Sequence, residues 1–433
     1  MCVILRKRWR ILIISLIVLI LFFCNKQSNQ NLELLVYWSA NNPYEIEYAR
    51  TIVTEWNKIH PRIQIKYQPV PEGRSSEEII LAAVVAKTTP DIYSNMWQGD
   101  VEAYSQAGVL VALDTLPGFI EFVYNRCDSA TVEEVISSDG HIYQIPWKIN
   151  PIMMVYNKKL LQEIGYDSPP STYSEYLDAA EKFKRDTDDD GYVDRWIGYS
   201  EVLNLWYQRF FDFYSLYIAA SKGGKLVEAK QVAFNNEYAV KVFEFLKILY
   251  DKNYFPRERL SARSDAFMGS IIATRFTGPW TITQYERLTP EGFEYAFHHL
   301  PVPDDFKGDV YTYCDPKNIV IFNTCKNSQK AWAFLKYMLD VENDYLFLEI
   351  THQLPRRKGL FEIPKFAEFF KENPKLAPFA KQASFVRGTD LYPNLKEVFD
   401  IISQEYEACV IYQVKTAEQA IADAAQAVQL LLR

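Results

Sequence analysis

Residues 186–194 read DTDDDGYVD, five aspartates in nine positions. Carboxylates this dense repel one another unless something shares their charge. Paired carboxylates can serve as general acid and base, convergent oxygens can hold a hard cation, and an exposed turn can leave its charges to water. Asp186, Asp188, Asp190, Gly191, Tyr192 and Asp194 fall at positions one, three, five, six, seven and nine of an EF-hand loop. Position twelve is Ile197, which cannot ligate, so the bidentate glutamate is missing. Structural Ca2+ held by Asp186, Asp188, Asp190, Tyr192 and Asp194 is the expectation, and a solvated Asx turn is its alternative. Catalytic carboxylates are the least expected, because no nucleophile or tuned acid stands nearby.

A second constellation mixes aromatic rings with amides. In open α/β sheets ligands sit beyond the carboxyl ends of strands. That rule selects Trp38, Ser39, Asn41 and Asn42 after a first strand, and Asn95, Met96 and Trp97 after a third. Trp147, Lys148 and Asn150 lie between two further strand-like runs, IYQIP and MMVY. Rings stack on the apolar C–H face of a sugar while amides and charges take its hydroxyls. A lone tryptophan at a strand end is more often packing, but several in such positions favour a site.

Other chemistries find little support. The chain carries no GxGxxG, Walker loop, HExxH or GxSxG, and only five histidines. The adjacent His298 and His299 are expected on opposite faces of a strand, in structural roles. Apart from Cys2 and Cys24 there are four cysteines, with no CxxC and no metal-like spacing to a histidine, so no disulfide is assigned. A net charge of -8 argues against nucleic acid, which needs a concentrated basic face.

The elements that would position these groups alternate. LELLVYW is strand-like, residues 45–59 carry Ile46, Ala49, Val53 and Trp56 on one helical face, and IQIKYQPV, EEIILAAVVAK and DIYSN follow as strand, helix and strand. This β-α-β-α-β order builds a mostly parallel sheet flanked by helices. It resumes at NIVIFN followed by the helix SQKAWAFLKYML, in which Trp332 is expected in the core. Near the carboxyl end Ala417, Ala420, Ile421, Ala424, Ala427, Val428 and Leu431 form one apolar stripe for packing. A chain of 433 residues exceeds what one core usually supports, so two domains are expected.

At the amino end Arg6, Lys7, Arg8 and Arg10 precede the thirteen-residue run Ile11–Phe23. As a helix it would span about 20 Å against a hydrocarbon core of roughly 30 Å, the layout of a secretory signal. Cys24 follows, where a bacterial lipoprotein carries its lipid; LFFC resembles a lipobox, with Phe23 where a small residue is usual. An uncleaved amino-terminal anchor is the alternative. Both place the chain outside the cytoplasm and tethered to the membrane.

Taken in order, WSANNP, TPDIYSNMWQGDVEAYSQAGVLVALD, DGHIYQIPWKINPIMMVYNKKLLQEIG, PSTYSEYLDAAEKFK running into DTDDDGYVDRWIGYS, and RFTGPW resemble the extracellular solute-binding proteins of ABC importers, in the group containing the maltose-binding protein. Tyr156-Asn157-Lys158 and Gly278-Pro279-Trp280 are the most telling pieces. The resemblance implies an α/β, two-lobed periplasmic-binding-protein type II fold, each lobe a mixed sheet flanked by helices, with the ligand cleft between them. Residues 1–30 would form the signal and anchor, 31–148 with 300–350 one lobe, and 149–299 with 351–433 the other, with crossings near 148, 300 and 350. By resemblance Trp147, Lys148 and Asn150 sit at a lobe crossing, Trp206, Tyr207 and Arg209 approach the ligand from the second lobe, and Trp280 lines the cleft. The acidic loop resembles a structural loop of the same family.

The expected function is capture of a carbohydrate, an oligosaccharide first, for delivery to ABC permease subunits, by a monomer that breaks no bond. A non-sugar or anionic solute is the alternative, suggested by Lys148, Arg209, Arg275 and Arg387. A signalling or adhesion lipoprotein is a further one. A hydrolase would need two opposed carboxylates, which the strand ends do not offer.

Overall fold

The central strands of this chain are short, largely apolar stretches whose two faces are both covered. A computed structural model of the protein describes residues 32–71, 75–202, 205–260, 265–288 and 290–433. The segment 1–30, with Cys24, lies outside them. In chain order the strands are β1 (Glu33–Ser39), β2 (Ile63–Pro69), β3 (Ile92–Trp97), β4 (Ile145–Ile149), β5 (Met153–Asn157), β6 (Val227–Glu228), β7 (Gln231–Val232), β8 (Thr274–Thr277), β9 (Tyr295–His298), β10 (Thr312–Tyr313), β11 (Lys317–Ile321), β12 (Leu354–Pro355) and β13 (Val386–Arg387).

Six of them form one sheet in the order β12-β4-β11-β3-β1-β2. β1 pairs in parallel with β2 and β3, whereas β11 runs antiparallel to both β3 and β4. Alternation along β11 sends Ile319 and Ile321 to one face and Val320 to the other. The first face packs under the helices Pro43–Ile59 and Ser328–Met338. Trp332 is 2% exposed there, between Phe119 and Phe122, with its Nε1–H on the Pro117 carbonyl. The second face packs under the helices Ser76–Ala86 and Gln98–Gln106.

The smaller sheet, β8-β5-β9, is antiparallel. Along β5, Met153 and Val155 enter one cluster and Met154 the other. The latter is the largest core, built from the helices Tyr173–Phe183, Phe213–Ala220, Glu237–Asp251, Leu395–Tyr406 and Ala417–Leu431. The carboxyl-terminal stripe buries Ala417, Ala420, Ile421, Ala424 and Val428 in it. Two lobes, each a sheet between helical layers, thus follow from the alternation.

The chain passes between the sheets at 149–153, at 312–317 and after β12. The second passage comes later than 300, because Val302 bridges Thr172 and accepts from Tyr173 N–H, holding residues 300–302 on the helix Tyr173–Phe183. The third comes after Leu354–Pro355, which pairs with β4 in the larger sheet, so the second lobe does not begin at the expected 351. His298 ends β9, so its ring and that of His299 are not on opposite faces but 4.0 Å apart. Burial pushes the His298 imidazole down to about 4. Cys127, Cys314, Cys325 and Cys409 are each buried and free. Among the described residues no helix is long and apolar enough to cross a membrane.

Candidate functional site

After the acidic loop the segment Trp206–Phe210 forms a single 3-10 turn on the second lobe. It presents Trp206, Tyr207 and Phe211 to a cavity of about 520 Å³. The opposite wall belongs to the larger sheet: Ser76 and Glu77 at the start of their helix, Asn95 of β3 and Lys317 of β11. Phe211 also borders an adjoining cavity of about 190 Å³, lined by Gln208, Glu201, Arg275 and Trp280. The two spaces run along one wall of rings.

Two tryptophans on this wall depend on glycine for their position. A β-carbon at Gly278 would lie 2.0 Å from the Trp280 ring, and one at Gly99 would lie 2.3 Å from the Trp97 ring. Each indole therefore folds back over bare backbone two residues away. Trp280 stays half-buried at the start of the helix Trp280–Leu288, with Phe211 edge-on at 6.3 Å.

The charges in the cavity are mutually compensated. Lys317 Nζ lies 3.1 Å from Glu77 Oε1 and 3.6 Å from Asp315 Oδ1. Burial alone would raise the Glu77 carboxyl, but Lys317 holds it below the usual range. Burial would likewise lower Lys317, yet Asp315 and Glu77 raise it. Sequence reasoning found no opposed carboxylates, yet folding brings Glu77 and Asp315 to one ammonium. The partners are far apart in the chain, and the only local signal was the helix-capping run SSEE at 75–78. Arg275 is similarly tied to Asp265 at 3.0 Å.

Of the residues selected from sequence, Asn95, Trp206, Tyr207 and Trp280 line the cavities. The others do not. Trp97 is 1% exposed and leaves the larger sheet to enter the core of the second lobe, 4.8 Å from Trp206, with its Nε1–H on Tyr313 Oη. Lys396 lies over both indoles and pairs with Asp100 at 2.7 Å, joining the lobes there. Met96 and Trp38 pack beneath the helix Ser76–Ala86, Ser39 bonds Tyr67, and Asn41 is exposed. Asn42 caps the helix Pro43–Ile59, accepting from the N–H groups of Tyr44 and Glu45.

Trp147 is fully buried against Tyr48 and Phe347. β4 runs three residues later than the IYQIP reading, so Trp147 lies inside the strand and shares the core face of Ile145. Lys148 and Asn150 join a buried network: Lys148 Nζ and Gln353 Nε2 both donate to Glu45 Oε1, and Asn150 Nδ2 donates to Gln353 Oε1. Arg209 is 2% exposed, bound to Asp212 at 3.0 Å, with its guanidinium 3.6 Å from the Tyr406 ring centroid. Its place in the 3-10 turn turns it inward while Trp206 and Tyr207 face out.

The acidic loop closes at its base through an Arg185–Arg195 bridge. Asp186, Asp188 and Asp194 each bring an oxygen within 4.8 Å of the others. Gly191 N–H donates to Asp186 and holds its carboxyl below the usual range. The Asp190 carboxylate instead accepts from Tyr192 N–H, as in an Asx turn. Asp194 Oδ1 is buried without a protein partner. Three convergent carboxylates with one orphaned buried oxygen fit a hard cation.

The sequence model of bacterial extracellular solute-binding proteins matches residues 51–378. The maltotriose-binding protein of Pyrococcus abyssi is 23% identical over 309 residues, a span covering 70% of this chain and 62% of that protein, less than two thirds of its length. A solved structure from Listeria monocytogenes has a TM-score of 0.76 at 28% identity, covering 93% of this chain and 100% of that one. The cyclic alpha-maltosyl-1,6-maltose binding protein of Arthrobacter globiformis has a TM-score of 0.75 at 21% identity, covering 92% and 98%. The fold is that of the two-lobed solute-binding proteins.

The network at the first crossing generates a test of whether Lys148 is structural. Glu45→Gln leaves its ammonium buried without a counter-charge and should cost about 3–5 kcal/mol in denaturant unfolding. An unchanged midpoint would show instead that Lys148 reaches solvent in the cleft.

Proposed function

Because the chain belongs to the family of bacterial extracellular solute-binding proteins, we propose that it captures a carbohydrate between its lobes and delivers it to the permease of an ABC importer. The observation that supports this reading is the row of rings, Trp206, Tyr207, Phe211 and Trp280, along two adjoining cavities. Rings take the apolar face of a pyranose while Asn95, Gln208 and the Glu77–Lys317 pair take its hydroxyls. Two joined spaces suit an oligosaccharide better than a single ring. A solute that touches both walls binds the closed arrangement best and shifts the lobes toward it.

Binding without turnover also accords with the carboxylates. A glycosidase needs one carboxyl kept protonated by a raised pKa, whereas Lys317 holds Glu77 low. An anionic solute is less favoured, since Lys317 and Arg275 already have acidic partners. Trp280→Ala removes a stacking ring worth roughly 1–3 kcal/mol, a ten- to hundredfold loss of affinity. Calorimetry against maltodextrins and arabino-oligosaccharides should read that loss with the melting temperature preserved. Equal affinity in the variant would remove the case for a sugar.

The acidic loop is proposed to hold one Ca2+ on Asp186, Asp188 and Asp194, the residues at the first, third and ninth positions of the loop. The ion would tie the two arms of the loop together. A chelator should then lower the melting temperature of the parent but not that of Asp188→Ala/Asp194→Ala, as expected when a ligand binds only the folded state. Indifference of the parent to chelation would leave only a solvated turn.

Export with a membrane tether is proposed from the amino-terminal segment. Lipid on Cys24 predicts a native mass that begins at that residue and carries acyl chains. A native mass that retains Met1 would favour the uncleaved anchor.

A further inference from the structure

The helix Ser76–Ala86 is apolar on two sides. Ile80 and Ala83 are buried on the larger sheet, and Ile79 and Val84 pack partly against it. On the outward side Leu81 is 48% and Val85 76% exposed, and Ala82 and Ala86 beside them are exposed as well. A helix that is apolar all round is ordinarily covered all round, yet among the described residues nothing covers this face. The apolar strip continues onto the sheet. Leu35 and Tyr37 of β1 enter the opposite core, so alternation sends Leu34, 56% exposed, to the side that carries this helix.

Position and charge together select the occupant. The helix starts at the cleft, which Ser76 and Glu77 line, and runs back toward β3, whose Ile92 pairs with Tyr37. Its carboxyl end therefore lies at the end of the sheet where β1 begins, and there the described chain emerges at the exposed Leu32. Only the seven residues 25–31 separate Leu32 from Cys24. Fully extended they reach at most about 25 Å, less than the roughly 30 Å diameter of a small domain. A tether at or before Cys24 thus keeps this end of the first lobe beside the membrane. Lys87 follows the helix directly, and Lys66 of β2, opposite Val36, lies on the same side of the sheet. Both are exposed, with no ion-pair partner among the described residues. Of the acids nearby, Glu33 is paired with Lys330 at 2.8 Å, and Glu78 stands at the cleft end of the outward face. Apolar side chains flanked by unpaired lysines fit the interface of an anionic bilayer.

We infer that the outward face of the helix Ser76–Ala86, extended by Leu34, docks on an anionic lipid surface. Leu81 and Val85 enter the boundary between headgroups and acyl chains, and Lys66 and Lys87 meet the phosphates. The inference rests on the membrane tether proposed above: the tether supplies proximity and this face supplies orientation. Docking fixes the first lobe on the bilayer and leaves the second as the lobe that moves.

Photolabelling of the full chain tests this, in vesicles of phosphatidylcholine and phosphatidylglycerol that contain a phospholipid with a diazirine in its acyl chain. Flotation of the chain with the vesicles reads the tether separately. Mass spectrometry should find lipid adducts on residues 76–86 and none on Val414 or Leu430 of the second lobe, which are no less exposed than Leu81. Leu81→Ser/Val85→Ser changes only exposed side chains and should fold, and it should lower the helix adducts by roughly tenfold. Vesicles of phosphatidylcholine alone should lower them too, and undiminished labelling there would overturn the preference for anionic lipid. A chain that floats while its helix stays free of adducts, whether bare or covered by a second copy, overturns the docking and leaves the tether standing. A chain that does not float overturns both. Labelling of Val414 and Leu430 equal to that of the helix, or of the double variant equal to the parent, also overturns docking through this face.

Discussion

Every passage of the chain from one sheet to the other must satisfy its backbone where no sheet continues, and this protein does so by pairing the passages with one another. Asn150 N–H bonds the Cys314 carbonyl and Ile152 N–H bonds that of Tyr313, both at 2.8 Å. The second passage is held in turn on its outer side, where Cys314 N–H bonds Arg387 and Thr312 N–H bonds Phe385. Buried peptide groups left unpaired would be costly, so the passages form a narrow ribbon of fixed composition. The cleft, which Asp315 and Lys317 line, is the space left on one side of it.

Side chains reinforce the ribbon in different ways at different places. Trp97 leaves its own sheet and enters the other lobe's core, where its indole is fixed by Tyr313 and overlaid by Lys396. At the first passage a polar network of Glu45, Lys148, Gln353 and Asn150 is buried instead. Farther out, Tyr44 Oη donates to the Thr283 carbonyl, linking the helix Pro43–Ile59 to the helix that begins at Trp280. Aromatic packing tolerates small rotations better than hydrogen bonds do, since its contacts are less directional. A hinge that turns about the ribbon would thus disturb the polar links before the apolar ones.

The cleft shows why a binding protein can be both charged and undemanding about charge. Glu77 and Asp315 share one ammonium: Lys317 holds the Glu77 carboxyl low, and the two carboxylates hold Lys317 high. Such a group offers strong donors and acceptors without a large net field. The rings opposite supply apolar area that needs no counter-charge. Hydroxyl-rich solutes suit this pairing, because they can use directional hydrogen bonds and a flat apolar face at once.

Much of this was legible in the residues. The alternation of strand-like and helical runs set the α/β class, the stripe at 417–431 and Trp332 went to the core, the acidic loop stood out by its spacing, and Trp280 stood out by the resemblance that Gly278-Pro279-Trp280 carries. These signals are local, because periodicity and turn chemistry are carried within a dozen residues. What local pattern left open was phase and partnership. The run IYQIPWKINPIMMVY is apolar on both faces, so nothing in it marks where β4 begins, and a shift of three residues carried Trp147 from the cleft into the core. Arg209 and Trp206 share one turn, and only the neighbouring helices decided which would face inward. Lys317 met Glu77 across 240 positions. Composition and spacing determined the class of protein, whereas the sites were decided by tertiary structure, because a site is a convergence of groups whose separation in the chain carries no trace of their distance in space.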